Sequence, residues 1–212
     1  MSQDLAVRHD RILQHLINVC GMDERDARNA LGKGEGEASD RPTLTPQGIE
    51  VFERGVHKYV ASKPLRTLLL LLPRTGMRVS EIVTLSWDAI LTDKPGQPRL
   101  LIVGKNSDVR TIPLTNKALA ILERYEAEYN PRARSEHWIF PAKSGPNHVD
   151  TDRVQRAVRL LRRREPGLSE LTPHVLRHTY ATEKLHQCAD FATVRQLLGH
   201  NGRKTALLYY HI

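Results

Sequence analysis

The amino-acid sequence predicts a mainly α-helical domain with one small antiparallel β-hairpin, an α+β fold. Helices are indicated by apolar residues that recur every three or four positions, as in Val154, Ala157, Val158 and Leu161. The hairpin is indicated over residues 99–114, where two short apolar stretches flank a polar turn and the second ends near a proline. Because helical patterns outnumber this single alternating stretch, we expect helices to form most of the core.

Composition narrows the class of protein. The chain has 212 residues, a formal net charge of +8 and a sequence pI near 9.7, which suits a polyanionic partner but also an ordinary basic enzyme. It contains two cysteines, Cys20 and Cys188, without CxxC spacing, which argues against a disulfide scaffold or a zinc ribbon. The longest apolar run, Leu68 to Leu72, is too short to cross a bilayer. We expect a soluble cytoplasmic protein with no membrane partner.

Two units are predicted along the chain. Residues 1–42 form a short helical appendage that ends in the glycine- and glutamate-rich stretch 32–37, a flexible linker. That stretch lacks the residue order of a phosphate-binding loop. The main domain is predicted over 43–212, beginning with a helix that has Thr45 as its N-cap and Pro46 at its first position.

The next elements follow from local signals. A buried helix is predicted after Lys63-Pro64, and a turn at Gly76 leads into a short helix with Arg78 at its start. An arginine at a helix start lies where backbone N–H groups favour an anion, although arginines in such positions often face solvent instead. Beyond the hairpin, residues 115–129 are predicted to form an amphipathic helix and 138–141 a short buried extended segment.

An arginine-rich helix is predicted over Asp152 to Arg164. Its apolar stripe leaves six arginines on the remaining surface, at 153, 156, 159, 162, 163 and 164. A run of charge is usually a solvated face, but six arginines repel one another unless an anion screens them. We therefore favour contact with the DNA backbone, which would make binding salt-sensitive without reading sequence. The residues predicted to bind DNA are Arg153, Arg156, Arg159 and Arg163.

The last forty-two residues combine chemically active side chains. His174 and Arg177 are three positions apart and share one face of a helix. His200 follows an apolar run that ends at Gly199, and Tyr209 lies nine residues further on. Arginine and tyrosine are poor zinc ligands, so this set does not indicate a metal site. Around a phosphodiester, however, arginine clamps oxygens, histidine transfers protons and tyrosine attacks phosphorus.

At these residues the sequence resembles the tyrosine recombinase (phage integrase) family. The matching text is His174-x-x-Arg177, Leu198-Gly199-His200 and Tyr209, together with an upstream TGMRVSE…LSW box that contains Arg78. The resemblance implies that Arg78 is the first phosphate-clamping arginine and that Glu81 supports it structurally. It also gives a catalytic role to Lys105, which follows Gly104 at the hairpin turn and would otherwise be read as a solvated turn lysine.

The function implied by the resemblance is site-specific DNA recombination through a covalent 3′-phosphotyrosyl intermediate, without metal, ATP or other cofactor. The catalytic set is predicted to be Arg78, Lys105, His174, Arg177, His200 and Tyr209. Tyr210 is the rival nucleophile, but spacing from His200 favours Tyr209. Relaxation of DNA in the manner of a type IB topoisomerase, and DNA binding without catalysis, are the alternatives.

The resemblance also bears on assembly. Double-stranded DNA is the expected partner, and assembly into a homo-oligomer on DNA is expected of the family. Family members commonly extend a helix past the nucleophile to dock on a neighbouring subunit, whereas this sequence stops at Ile212. About forty-two residues precede Leu44, fewer than the usual helical module that closes around DNA. These departures put a standard tetramer in doubt more than they do cleavage.

Overall fold

A computed structural model describes residues 42–92, 96, 98–104, 109–133, 135, 137–188 and 191–199. Among these residues the chain is mostly helical, with a small antiparallel sheet, so the predicted α+β class is confirmed. The predicted appendage 1–42 lies almost wholly outside the described residues, and the division into two units stays a prediction. No helix in the described ranges is both long and apolar enough to cross a membrane.

Helices and strands are named here in chain order. The described helices are α1 (Pro46–Tyr59), α2 (Lys63–Thr75), α3 (Val79–Val83), α4 (Asn116–Tyr129), α5 (Thr151–Arg164), α6 (Pro173–Cys188) and α7 (Phe191–Leu198). The described strands are β1 (Ile90–Leu91), β2 (Arg99–Val103) and β3 (Val109–Pro113). Short 3₁₀ turns cover Trp87–Ala89, Pro131–Ala133 and Pro166–Leu168.

Helix starts are set by side-chain caps. The Thr45 hydroxyl accepts a hydrogen bond from the Gly48 amide at 3.1 Å, and Pro46 follows at the first helical position, as predicted. Thr115 caps α4 in the same way, while the Asp150 carboxylate accepts from the Asp152 amide at the start of α5. Each cap satisfies an amide that has no partner within its helix, so each fixes where its helix begins.

Helix α2 lies at the centre of the domain. It packs against α1, α3, α4, α5 and α6, and all five leucines from Leu68 to Leu72 are buried. These five consecutive leucines cover every side of the helix, so this stretch needs neighbours on every side, which explains why the other helices surround it. The apolar stripe predicted for α5 is likewise buried at Val154, Ala157, Val158 and Leu161.

The sheet has the order β1-β2-β3 and is antiparallel throughout. The predicted hairpin is confirmed as β2 and β3, with Leu100 opposite Ile112 and Ile102 opposite Arg110. Strand β1 was not predicted, since two residues are too few to show an alternating pattern. The segment 138–141, predicted to be buried and extended, is buried at Ile139, Phe140 and Pro141 but half-buried at Trp138. It is extended only at its ends, which form single bridges from Trp138 to Ser86 and from Pro141 to His148.

Gly76 is the point where α2 meets α6. It ends α2 in the left-handed conformation, with φ of 61°, and its amide donates to the Leu72 carbonyl at 3.0 Å. A Cβ atom at this position would lie 2.3 Å from Cδ1 of Tyr180 on α6. Only glycine therefore allows both the turn and the close crossing of α6. This crossing brings the sequence after α2 next to the first half of α6.

Candidate active site

The first arginine box forms the link between α2 and α3. Arg78 is the N-cap of α3, and its backbone amide donates to Oε2 of Glu81 at 2.8 Å. Its guanidinium Nη1 donates to Oε1 of the same carboxylate at 2.9 Å. The Arg78 side chain is 40% exposed, whereas that of Glu81 is only 6% exposed. The buried Glu81 carboxylate thus binds Arg78, while part of the Arg78 guanidinium remains exposed to solvent.

A second arginine, which the sequence did not lead us to select, completes the binding of Glu81. Arg110 on β3 donates from Nη1 to Oε1 at 3.0 Å and from Nη2 to Oε2 at 2.7 Å, a bidentate pair. Its side chain is 4% exposed. Its remaining Nε–H donates to the Leu197 carbonyl at 2.8 Å. Arg110 therefore joins β3, α3 and the end of α7.

A local signal for Arg110 does exist. Its strand alternates exposed and buried positions, and Arg110 shares the inward face with buried Ile112. A charged residue at an inward position of a predicted hairpin needs a buried partner of opposite charge. That requirement indicates that Arg110 forms a buried ion pair, although the sequence alone does not identify Glu81 as its partner.

Arg177 lies on α6 and is 5% exposed. Its Nη1 donates to the Gly76 carbonyl and its Nη2 to the Leu198 carbonyl, both at 2.5 Å. It thus connects the turn before Arg78 with the end of α7. His174, one helical turn earlier, is exposed in the first turn of α6, where the Thr172 hydroxyl accepts from the Val175 amide at 3.1 Å.

Three arginines converge on the C-terminal end of α7. The successive carbonyls of Leu197, Leu198 and Gly199 accept from Arg110, Arg177 and Arg78, the last through Nη2 at 3.5 Å, the outer limit of a hydrogen bond. The last carbonyls of a helix have no partners within it, and they carry the negative end of the helix dipole. Guanidinium groups donate hydrogen bonds to these carbonyls and carry a positive charge opposite the negative end of the dipole. The three arginines therefore hold the end of α7 in place.

The charge of this cluster favours an anion. Counted over the described residues alone, three guanidinium cations and one carboxylate, that of Glu81, leave a formal excess of two positive charges (three minus one). Backbone carbonyls complete the arginine contacts without adding a full negative charge. Since Arg78 is partly exposed, the excess charge is accessible from solvent. A phosphate is the type of anion that guanidinium groups bind through paired hydrogen bonds.

Burial alone would raise the pKa of Glu81, because it disfavours a charged carboxylate. The hydrogen bonds from the Arg110 guanidinium, the Arg78 backbone amide and the Arg78 guanidinium, together with the charge of Arg110, outweigh burial and lower that pKa to about 2. Glu81 is therefore ionised at any physiological pH, and it cannot act as a proton donor there. Its role is to hold arginines.

The structure brings together part of the predicted catalytic set. Arg78 and Arg177 bind adjacent carbonyls at the end of α7, and His174 lies one turn from Arg177 on the exposed side of α6. The predicted residues Lys105, His200 and Tyr209 lie outside the described residues. Their neighbours do lie within them: Gly104 follows β2, and Gly199 follows α7 with φ of 64°. The predicted roles of all six stay predictions.

The sequence matches proteins of one family. Residues 44–212 match the sequence profile described as the phage integrase family. Tyrosine recombinase XerD of Brucella suis biovar 1 is 37% identical over 180 residues, which cover 84% of this chain and 56% of that protein. The chain therefore spans about half the length of such relatives.

Solved structures share the fold. The XerH site-specific recombinase bound to difH substrate, in a pre-cleavage complex, has a TM-score of 0.65 and 21% identity, covering 94% of this chain and 65% of that one. The Tn1549 transposon integrase in complex with circular intermediate DNA has a TM-score of 0.61 and 18% identity, covering 97% and 80%. At these identities the likeness concerns the fold alone.

The lowered pKa of Glu81 predicts how stability depends on pH. A carboxylate with a folded pKa of about 2 and an ordinary value of 4.5 stabilises the fold fully above pH 4.5. That stabilisation is lost as pH falls from about 4.5 towards 2, and it corresponds to roughly 3 kcal/mol. We expect urea unfolding to show a steeper loss of stability over this range in the wild type than in Glu81→Gln. Parallel pH profiles for the two proteins would contradict the assignment.

Proposed function

Since the chain belongs to the phage integrase family, we propose that it is a site-specific DNA recombinase that cleaves and rejoins strands through a phosphotyrosine. The observation that carries the proposal is the convergence of Arg78 and Arg177, with a net positive charge, on the end of α7 directly before His200. Double-stranded DNA is the proposed substrate and partner, in the cytoplasm. The complex of the Tn1549 integrase with DNA supports this choice of partner.

The proposed reaction is a transfer of a phosphoryl group to tyrosine. Arg78 and Arg177 bind the nonbridging oxygens of the scissile phosphate and neutralise the charge that grows on them. The Tyr209 hydroxyl attacks phosphorus, so that a P–O bond to tyrosine forms and the P–O bond to the 5′ oxygen breaks. The products are a 3′-phosphotyrosyl link and a free 5′-hydroxyl. Rejoining reverses these bonds, which is why no ATP is consumed.

Proton transfer completes the step. We assign His174 to accept the tyrosine proton or to orient the phosphate, and His200 to donate a hydrogen bond to a nonbridging oxygen. Lys105 supplies a proton to the leaving 5′ oxygen, a role that an ammonium performs more readily than a guanidinium. No metal or other cofactor is assigned to the step, since the arginines provide the charge that a metal ion would otherwise supply.

The arginine face of α5 is the proposed contact with the DNA backbone. Helix α5 packs against α3, the helix that carries Glu81. Arg156, Arg159 and Arg163 are exposed and Arg153 is partly exposed. Among the described residues, none of these four has an acidic partner within ion-pair distance. Unpaired arginines in a row leave their charge available to phosphates.

Assembly on DNA is proposed as well. The XerH recombinase was solved bound to its difH substrate, and the Tn1549 integrase in complex with circular intermediate DNA. A lambda integrase of similar fold was solved as a dimer bound to a COC' core site. These likenesses support oligomerisation of this chain on DNA. The number of subunits follows from measuring the mass of the protein–DNA complex.

The nucleophile is tested by covalent capture. We expect the wild type to form a denaturation-resistant adduct with a pool of nicked duplexes of randomised sequence, because the nick releases the leaving strand. Tyr209→Phe should abolish the adduct and Tyr210→Phe should retain it, since the phenol oxygen of Tyr209 forms the bond. Gel analysis after denaturation measures both.

The same assay separates the alternatives. Capture confined to certain sequences supports the recombinase, whereas capture without preference together with relaxation of supercoiled plasmid indicates a topoisomerase. The reverse result with the two tyrosine variants would assign the nucleophile to Tyr210. Absence of any adduct from the wild type would contradict catalysis and favour a DNA-binding protein.

Contact through α5 predicts a general loss of affinity. Replacing both Arg159 and Arg163 with glutamine should weaken binding of any duplex roughly tenfold and reduce the salt dependence by about two phosphate contacts. Fluorescence anisotropy at several salt concentrations measures both quantities. The double variant Lys117→Gln, Arg124→Gln is the matched control, because it removes the same charge from exposed positions on α4. Equal losses in the two proteins would contradict a specific role for α5.

A further inference from the structure

Arg110 is the one described arginine of the cluster that has no predicted role. All three of its bonding nitrogens are used: two on Glu81 and one on the Leu197 carbonyl. Its side chain is almost completely buried, so it is not placed to bind a phosphate from solvent. Its contacts join residues 29 and 87 positions away in the sequence. Its bonds therefore determine how distant parts of the site fit together.

The first effect of Arg110 falls on Arg78. Because Arg110 binds both oxygens of Glu81, the carboxylate holds Arg78 through one guanidinium nitrogen and the backbone amide. A guanidinium has five N–H donors in a fixed planar arrangement, so this arrangement leaves donors of Arg78 for another ligand. Without Arg110, Glu81 would be free to bind the Arg78 fork in a bidentate manner.

The second effect falls on the end of α7. A Cβ atom on Gly199 would lie 3.0 Å from Nη1, 3.1 Å from Cδ and 3.2 Å from Cζ of Arg110. The Arg110 side chain thus packs directly against the Gly199 backbone, in addition to bonding the Leu197 carbonyl. The next residue in the chain is His200. The place where the chain leaves α7 is therefore fixed by Arg110 from the side of the sheet and by Arg177 from the side of α6.

We propose that Arg110 is a positioning residue: it holds the end of α7 and the Glu81–Arg78 pair in one fixed arrangement, so that the two phosphate-binding arginines, Arg78 and Arg177, meet at the end of α7. The proposal rests on the function proposed above. It assigns Arg110 no contact with DNA. It requires an arginine, since the ammonium of lysine carries the charge but cannot bond both carboxylate oxygens and a carbonyl in one plane.

Two variants test the proposal from opposite sides. Arg110→Lys keeps a cation beside buried Glu81 but removes the bond to Leu197. Gly199→Ala leaves Arg110 and Glu81 unchanged but places a methyl group against the guanidinium. Gly145→Ala is the control for the glycine variant, because Gly145 also has a positive φ, 77°, with no atom within 4 Å of the added Cβ. Arg124→Gln is the control for Arg110→Lys, because Arg124 is an exposed, ion-paired arginine on α4.

Hydrogen–deuterium exchange of the peptide spanning α7 and covalent capture of the nicked-duplex pool are measured on the full chain. We expect faster exchange at α7, but not at α4, in Arg110→Lys and Gly199→Ala. The capture rate at saturating protein should fall on the order of 10- to 100-fold, since a displacement of about 1 Å has that effect on a positioned reaction. Affinity for the duplex should stay within about threefold, because binding depends on phosphate contacts elsewhere. Both controls should behave as the wild type.

The outcomes separate the proposal from the function on which it rests. Unchanged exchange at α7 in both variants overturns the positioning role, whether or not the wild type forms an adduct. Faster exchange with an unchanged capture rate also overturns it. Absence of any adduct from the wild type overturns the proposed function, while the exchange data still decide whether Arg110 holds α7. If Arg110→Lys fails to fold, as circular dichroism would show, Gly199→Ala alone decides.

Discussion

The candidate site depends on one buried carboxylate, that of Glu81. Removing a carboxylate from water costs several kcal/mol unless cations and hydrogen bonds surround it. Here Arg110 and Arg78 supply those bonds, and each is thereby fixed in place. The start of α3 and strand β3 meet at this group, and Arg110 links both of them to the end of α7. A requirement of electrostatics therefore sets the relative position of elements that are far apart in the sequence.

The groups that accept hydrogen bonds from the arginines leave the site with a net positive charge. If carboxylates bound each arginine, the charge would cancel and a phosphate would gain little. Two of the bonds of Arg177 go to backbone carbonyls, those of Gly76 and Leu198, which add no full negative charge to the site. The carbonyls belong to helix ends, where they lack partners and where cations are favoured. Thus the same bonds that fix α7 leave a net positive surface for an anion.

Most of the fold could be predicted, because its signals are local. The caps at Thr45 and Pro46, the buried leucines of α2 and the apolar stripe of α5 each act within a few residues of the chain. The hairpin was predicted from two short apolar stretches on either side of a polar turn and from the proline near the end of the second. Strand β1 could not be, because a two-residue strand exists only through its pairing with β2. Its two residues carry no pattern of their own.

The sequence predicted several residues of the site, but not the hydrogen bonds that connect them. Spacing and chemistry selected His174 and Arg177, the family resemblance selected Arg78, and the structure brings Arg78 and Arg177 to one helix end. The bonds that achieve this join residues 101 and 121 positions apart, as in Arg177 to Gly76 and Arg78 to Gly199. No local pattern encodes such pairs. The inward position of Arg110 on β3 is a local signal that it needs a buried partner, but its partners Glu81 and Leu197 become evident only when β3, α3 and α7 are packed together.

The central claim is that Glu81 and Arg110 act as one unit, and a double-mutant cycle tests it most directly. Urea unfolding at neutral pH would be measured for the wild type, Glu81→Gln, Arg110→Met and the protein with both changes. Each single change leaves a buried group without its partner, so each should destabilise strongly, while the double change should cost less than their sum. We predict a coupling energy of about 2 to 3 kcal/mol. Effects that add to within about 0.5 kcal/mol would contradict it.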